Sequence, residues 1–184
     1  MRVISLDIDK LTGLCKQLTE QISESGFHPD VIIGIKSGGA EVGKILKKLF
    51  PDSRYVECDI ERASTKRKKH LLKHILKFFP RVLLDRMRII EAKTRFKYKK
   101  RNDISGIRLS DIIERGCRIL MIDDAVDSGA TLSAVKAEIL RKYPDSEIRS
   151  AAITVTTENP VAMPDFFVFH NSILIRFPWS MDAR

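Results

Sequence analysis

A short apolar strand that ends in two adjacent carboxylates and a turn of small residues is the feature that most constrains how this chain can fold. Residues 119–122 are uniformly apolar, Asp123 and Asp124 follow, and residues 127–131 read Asp-Ser-Gly-Ala-Thr before a helical pattern. A continuously apolar strand is typical of a parallel sheet buried on both faces, and such sheets carry ligand-binding groups at the carboxyl ends of their strands. We therefore expect this segment in the middle of an α/β sheet, ending in a binding site.

The turn after this strand has the composition of an anion-binding loop. Consecutive backbone N–H groups, two hydroxyls and a helix N-terminus at residues 127–131 together favour a dianionic phosphate. The carboxylates of Asp123 and Asp124 can accept hydrogen bonds from two vicinal hydroxyls. A ribose 5-phosphate would satisfy both halves. The alternative is an ordinary strand–turn–helix unit in which Asp127 or Ser128 only caps the helix.

Short apolar strands alternate with helical patterns along the chain. Strands are predicted at residues 31–35, 54–60, 118–122, 148–156 and 166–169, and helices at residues 6–26, 41–50, 107–115 and 132–142. This alternation predicts a doubly wound, mainly parallel α/β sheet in a single domain spanning residues 1–184. A second glycine loop, residues 36–39, follows the strand at 31–35 and would let the backbone approach an anion.

The positive charge of the chain is concentrated in one segment. The formal net charge is +9, yet residues 59–106 hold sixteen Lys or Arg against five Asp or Glu, a local net charge of +11. Apolar residues recur at helical spacing on both sides of Pro80, which predicts two amphipathic helices. We therefore expect a basic, helical hood inserted at residues 60–106, with cationic runs at 66–69 and 97–101; a solvated basic face without a ligand is the alternative.

Other side chains of the segment and the cysteines favour less specific interpretations. His70 and His74 share a predicted helix face, but without a Cys or acidic partner nearby in sequence they do not predict a metal site. The three cysteines, at positions 15, 58 and 117, are dispersed, which indicates reduced thiols facing the core. The sequence has no apolar run of about 20 residues and no signal-peptide pattern, so we expect a soluble, cytoplasmic protein.

Residues 119–132 resemble the phosphoribosyl pyrophosphate (PRPP) signature of the type I phosphoribosyltransferases, in which apolar residues, two acids and a hydroxyl-rich glycine loop occur in this order. The resemblance implies that Asp123 and Asp124 hold the ribose 2′- and 3′-hydroxyls. It also implies a pyrophosphate loop after the strand at 31–35, although the family usually has Arg or Lys directly before Gly-Gly and this chain has Ser37 there. The implied 5′-phosphate ligands are Asp127, Ser128, Gly129, Ala130 and Thr131, and the implied pyrophosphate ligands are Lys36, Ser37, Gly38 and Gly39.

The acid that opens the loop and the C-terminal tail resemble the 6-oxopurine branch of that family. In this branch the loop typically begins with Asp, and Asp127 could accept the purine N7 proton as N9 attacks ribose C1. Residues 164–168 and 176–180 resemble the Pro-Asp-Tyr-Tyr-Val and Phe-Pro-Trp-Glu endings of bacterial and archaeal members. Thr156 or Thr157 stands where the branch usually has a base-contacting Lys, and Leu174 replaces an aromatic residue. The implied base pocket comprises Val126, Leu174, Ile175 and Trp179, with packing as the alternative role of Trp179.

The resemblance implies transfer of a 5-phosphoribosyl group from PRPP to a nitrogenous base, with a purine favoured, and release of pyrophosphate in nucleotide salvage. Mg²⁺ would be carried by PRPP, with Asp123 as the candidate protein contact. A homodimer is expected because dimers are common in the family. Two other classes stay open: a PRPP-binding regulator that uses residues 62–101 as a nucleic-acid surface, and a transferase acting on a non-base acceptor such as a lipid phosphate, with Phe78 and Phe79 at the membrane surface.

Overall fold

Helices separate the central strands along the chain, as the sequence predicts. The structure, a computed structural model, describes residues 2–62, 89, 104–108, 116–171 and 173–180. Its helices are α1 (Ile8–Glu24), α2 (Gly38–Leu49) and α3 (Ala130–Lys142). Its strands are β1 (Arg2–Ser5), β2 (Val31–Ile35), β3 (Arg54–Arg62), β4 (Ile104–Arg108), β5 (Arg118–Val126), β6 (Glu147–Val155), β7 (Phe166–His170) and β8 (Ile173–Arg176).

The main sheet is mostly parallel and has β2 and β5 at its centre. Its strand order is β4-β3-β2-β5-β6-β7, and only the β3–β4 pair is antiparallel. The register aligns Ile33 of β2 with Met121 of β5, and Ile122 of β5 with Ala151 of β6. The predicted doubly wound, mainly parallel α/β fold is therefore confirmed.

Both faces of the central strands are buried, and alternate residues point to opposite cores. Ile32, Leu120 and Ile122 lie in a cluster that includes the apolar faces of α1 and α2. Ile33 and Met121 lie in the other cluster, against α3. This two-sided burial is the physical reason why β2 and β5 read as uninterrupted apolar runs.

Helix α1 shows how local sequence sets an element's ends. Its N-cap is Asp7, whose Oδ1 accepts a hydrogen bond from the backbone N–H of Lys10 at 2.8 Å. After the last turn, Gly26 adopts a left-handed φ of 76°, a conformation that glycine tolerates best. The helix is therefore slightly shorter at both ends than the predicted range 6–26. Its buried stripe consists of Leu11, Cys15, Leu18 and Ile22.

The basic insertion begins and ends in a strand pair at the edge of the sheet. Backbone pairing places Asp59 opposite Arg108 and Ile60 opposite Ile107. The prediction that a helix begins at residue 107 is wrong, because residues 107 and 108 belong to β4 and satisfy the exposed edge of β3 instead. Apart from residues 60–62, 89 and 104–106, the predicted insertion lies outside the described residues. The same holds for its cationic runs, for His70, His74, Phe78 and Phe79, and for residues 109–115 of the predicted helix.

Besides β4, two further strands and the extension of a third were not predicted. The four-residue strands β1 and β8 pair in parallel, with Val3 opposite Leu174, and such short segments carry little periodic signal. Strand β5 continues through both acids to Val126 rather than ending at Ile122. No helix in the described part of the chain combines the length and the hydropathy that a membrane span requires.

Candidate functional site

The carboxyl ends of β2, β5 and β6 bring three separate loops to one edge of the sheet. Gly34 of β2 lies opposite Ile122 of β5, and Val126 of β5 lies opposite Val155 of β6. The glycine loop at 36–39, the segment 123–131 and the pair Thr156–Thr157 therefore follow neighbouring strands. Parallel α/β sheets bind ligands at this edge.

The glycine loop lies directly against the acids of β5. A Cβ atom added to Gly39 would meet the carbonyl oxygen of Ile122 and would lie 2.8 Å from the Cα of Asp123. A Cβ atom on Gly38 would overlap the carboxylate of Asp124. Only glycine fits at these two positions, because any side chain would collide with β5. The predicted pyrophosphate loop and the predicted ribose-binding pair are therefore in direct contact and form one surface. The peptide bond that enters the loop, between Lys36 and Ser37, is cis.

The two acids are held by different partners. The Oδ1 atom of Asp123 accepts a hydrogen bond from the backbone N–H of Asp124 at 2.9 Å. The Oδ2 atom of Asp124 accepts one from the indole N–H of Trp179 at 3.0 Å. Trp179 also stacks on Phe177, with ring centroids 5.0 Å apart and ring planes 9° from parallel. The C-terminal tail therefore packs as a unit and contributes a hydrogen-bond donor to the predicted ribose-binding pair.

The loop between β5 and α3 is fixed by the segment that follows β6. Gly129 is the N-cap of α3, with a left-handed φ of 75°, and a Cβ atom there would overlap the carbonyl oxygen of Ala162. The buried Ser128 accepts hydrogen bonds at Oγ from the N–H of Ala130 and at its carbonyl oxygen from the N–H of Val161. The conformation of the turn at the start of α3 is therefore fixed by hydrogen bonds and packing, as an anion-binding loop requires.

Asp127 does not cap α3, so the helix-capping alternative is wrong for this residue. Its Oδ1 atom accepts a hydrogen bond from the hydroxyl of Thr156 at 2.5 Å. Its carbonyl oxygen accepts one from the hydroxyl of Thr157 at 2.9 Å. The ring Nε2 of His170 lies 3.1 Å from the carbonyl oxygens of both Thr157 and Glu158, and since carbonyl oxygens only accept, Nε2 is the donor.

Thr156 or Thr157 was expected at the position of the family's base-contacting Lys, but the contacts of both with Asp127 were not predicted, and His170 was given no role. The signal available for the threonines was their position, two hydroxyl residues directly after a buried strand and thus at the binding edge. The signal for His170 was weaker, because its contact depends on how β7 pairs with β6: Val155 lies opposite His170 in that register.

Lys36 forms ion pairs with strand β3. Its ammonium lies 3.0 Å from Glu57 and 3.1 Å from Asp59, and Glu57 also lies 3.3 Å from the ammonium of Lys44. The hydrogen bond to Glu57, then that to Asp59, raises the pKa of Lys36, and Lys36 in turn lowers the pKa of Glu57. Lys36 therefore carries its positive charge at neutral pH, beside the glycine loop.

The predicted base-pocket residues differ in accessibility. Val126, Leu174 and Ile175 are buried, with 2%, 9% and 6% of their surface exposed. Leu174 and Ile175 lie in β8, paired with β1. Trp179 is half-buried and, with Ser37, Glu41 and Pro178, lines an open cleft of about 430 Å³ between the glycine loop and the tail.

The chemistry of the acids suits a metal that arrives with its ligand. No group of three or more His, Cys, Asp or Glu side chains within the described ranges converges to hold a metal ion. Mg²⁺ keeps several waters and uses few carboxylates alongside phosphate oxygens. The oxygen donors of Asp123 and Asp124 fit such an ion.

The buried thiols of Cys15 and Cys58, whose pKa values burial raises to about 12 and about 11, stay protonated at neutral pH and offer no nucleophile.

Comparison with known proteins identifies the fold. Residues 6–183 match the family model described as phosphoribosyl transferase domain. A purine phosphoribosyltransferase from Pyrococcus horikoshii Ot3 superposes with a TM-score of 0.65 at 21% identity, over 98% of this chain and 95% of that chain. A Helicobacter pylori xanthine-guanine-hypoxanthine phosphoribosyltransferase gives 0.63 at 17% identity, over 98% and 95%. A Neisseria gonorrhoeae hypothetical protein with bound ppGpp gives 0.58 at 16% identity, over 97% and 89%. Comparison with curated proteins finds no match.

Proposed function

This chain belongs to the phosphoribosyl transferase domain family, and from that premise we propose that it transfers the 5-phosphoribosyl group of PRPP to a purine base and releases pyrophosphate. One observation carries the proposal: the Asp123–Asp124 pair, the loop that opens α3 and the backbone of Gly38–Gly39 meet at one sheet edge. A ribose bearing phosphate groups at both ends needs these three kinds of partner side by side.

Each part of PRPP has a complementary part of this edge. The carboxylates of Asp123 and Asp124 accept hydrogen bonds from the ribose hydroxyls. Residues 127–131 surround the 5′-phosphate with backbone N–H groups at the start of α3. The glycine loop approaches the pyrophosphate through its backbone, with Ser37 at the cleft and Lys36 as the nearby cation. These assignments apply the family's residue roles to the matching positions of this chain.

Mg²⁺ is the cofactor that fits this donor set. Asp123 would be the protein contact of an ion that arrives with PRPP, and the ion would neutralise charge that develops on the leaving group. The protein's own contribution is to orient the sugar through the two acids. Its loop N–H groups also stabilise negative charge on the phosphates.

Asp127 is the proposed proton acceptor. As the base nitrogen bonds to ribose C1, the bond from C1 to the pyrophosphate oxygen breaks and pyrophosphate leaves with that electron pair. The base must then lose one proton, and a carboxylate next to the reacting centre accepts it. Asp127 opens the loop that surrounds the 5′-phosphate, so its side chain lies beside the substrate.

Asp127→Asn tests this role. We expect turnover to fall about 100-fold or more, the usual range for a lost acid or base, while PRPP affinity measured by calorimetry with Mg²⁺ stays within about twofold, since the loop backbone is retained. Pyrophosphate release is measured with adenine, hypoxanthine, guanine and xanthine as acceptors. Asp145→Asn, an exposed residue in the turn before β6, is the matched control. Full activity of Asp127→Asn would show that Asp127 is not the proton acceptor.

The acceptor panel also separates the proposal from its alternatives. The two structurally similar enzymes are described as acting on purines, which supports a purine here. A PRPP-binding regulator would bind PRPP without releasing pyrophosphate for any base, and would show salt-sensitive RNA or DNA binding that weakens when residues 66–69 are neutralised. We further propose a homodimer, which sedimentation of the purified protein tests, and a cytoplasmic location, which fractionation of cells tests.

A further inference from the structure

The carboxylate of Asp127, which follows β5, accepts a hydrogen bond from a residue that follows the neighbouring strand β6. Thr156 follows β6 directly, and its hydroxyl donates to Asp127 Oδ1 at 2.5 Å. The backbone N–H of Thr156 also donates to the carbonyl oxygen of Val126, the residue before Asp127, at 2.9 Å. Thr156 is 8% exposed. The buried Thr156 thus donates hydrogen bonds both to the side chain of Asp127 and to the backbone of Val126.

The segment carrying Thr156 is itself anchored. The hydroxyl of Thr157 donates to the carbonyl oxygen of Asp127 at 2.9 Å, and Thr157 is also buried. Nε2 of His170, at the end of β7, donates to the carbonyl oxygens of Thr157 and Glu158. The carboxyl ends of β5, β6 and β7 are therefore joined around one aspartate by hydrogen bonds that come from side chains.

These contacts restrict how Asp127 can turn. A threonine hydroxyl has a single proton, and here that proton points to one oxygen of the carboxylate. A β-branched side chain has few rotamers, so a buried threonine holds its hydroxyl in one direction. A proton acceptor must be aligned with the proton that it removes, and small misplacements cost rate.

We propose that Thr156 is a positioning residue that orients the Asp127 carboxylate for proton transfer, with Thr157 and His170 anchoring the segment. The inference rests on the proposed function, in which Asp127 accepts a proton from the base. It adds a residue whose hydroxyl contacts the Asp127 carboxylate and that influences the reaction through this contact.

Thr156→Val is the test, because valine keeps the branched shape and removes the hydroxyl. We expect kcat to fall about 10-fold with the KM for PRPP within about twofold, since the phosphate and ribose contacts are retained. Thr156→Ser should recover most of the lost kcat. Thr154→Val is the matched control: Thr154 lies two residues earlier, in β6, is 1% exposed, and donates its hydroxyl to the Ile173 carbonyl at 3.1 Å rather than to Asp127. It should keep kcat within about twofold of the unmodified protein.

A double-mutant cycle distinguishes positioning from general damage. If Thr156 acts through Asp127, adding Thr156→Val to Asp127→Asn should lower kcat by less than about twofold further. An equal 10-fold loss in both backgrounds, a lack of recovery with Thr156→Ser, or an equal loss in Thr154→Val would overturn the inference. Failure of the proposed function is a separate result, because the unmodified protein would then release no pyrophosphate with any base of the panel. A low rate for Asp127→Asn with a normal rate for Thr156→Val would refute the positioning role only.

Discussion

At the scale of single residues, the site depends on where side chains are missing. Gly38 and Gly39 bring the backbone of one loop against Asp124 and Asp123, where any Cβ atom would collide with a carboxylate or with main-chain atoms. Gly13 presents the opposite case: it lies exposed in the middle of α1, and a Cβ atom there would meet nothing within 4 Å. The sequence does not distinguish these two kinds of glycine. Only the folded structure shows which of them has room for a side chain.

Substituting alanine at these two kinds of position should change stability in opposite directions. Gly39→Ala should lower the free energy of unfolding, because the new methyl group must push apart main-chain atoms of α2 and β5 that cannot rotate away. Gly13→Ala should raise it by about 0.5–1 kcal/mol, the usual gain for replacing glycine inside a helix. Urea unfolding of both variants measures the difference. A Gly39→Ala protein as stable as the unmodified one would show that the loop does not pack as described.

At the scale of elements, the amino ends of the central strands are tied together by one aspartate. The carboxylate of Asp30, just before β2, accepts hydrogen bonds from the backbone N–H and the guanidinium of Arg118 at the start of β5. Its own backbone N–H donates to the carbonyl of Arg118, and its carbonyl accepts from the N–H of Arg54 in β3. The starts of three neighbouring strands are therefore joined at the end of the strands opposite the carboxyl-edge loops.

The Asp30–Arg118 pair should make stability depend on pH in a defined direction. Hydrogen bonds from the Arg118 side chain, and then from its backbone N–H, lower the pKa of Asp30. The stabilisation is therefore present above the ordinary aspartate pKa of about 3.9 and is lost as the pH falls through the lowered value in the folded protein. We expect Asp30→Asn to melt below the unmodified protein at pH 7, with the gap closing below about pH 4. Melting curves across this range test it; a gap that widens in acid would contradict the sign.

At the scale of the whole molecule, the proposed ligand would bridge loops that belong to separate parts of the chain. Residues 36–39 follow β2 and residues 123–131 follow β5, and the two meet only because these strands are neighbours in the sheet. A ligand that binds both loops binds the folded chain and not the unfolded one. It should therefore raise the melting temperature.

PRPP with Mg²⁺ should stabilise the protein against heat. At about 100 times its dissociation constant, a ligand adds about 2.7 kcal/mol, which for a domain of this size corresponds to roughly 5–10 °C. Ribose 5-phosphate or pyrophosphate alone should give smaller shifts, since each engages only part of the edge. Replacing both Asp123 and Asp124 with Asn should abolish most of the PRPP shift. A flat response to saturating PRPP in differential scanning fluorimetry would reject the proposed sugar-phosphate site.

Sequence patterns were sufficient for the central strands, the helices beside them and the family. Residues 31–35 and 119–122 are apolar throughout because both faces of β2 and β5 are buried. These uninterrupted apolar runs indicated a parallel sheet covered by helices on both faces. Patterns failed where length or pairing decided the outcome: β1 and β8 are four residues each, and residues 107 and 108 pair with β3 rather than starting a helix. Edge pairing is a tertiary contact, and no local period encodes it.

The linear sequence by itself determined the local chemistry: two acids, a turn of small residues and a helix start, all within residues 119–132, where each neighbour along the chain is also a neighbour in space. Only the tertiary structure decided what surrounds that chemistry. The indole of Trp179 reaches Asp124 across 55 positions, and the hydroxyl of Thr156 reaches Asp127 across 29. Strand order and register bring these distant residues into contact. Both depend on how the apolar faces of all the strands and helices pack together, which no local stretch of sequence encodes.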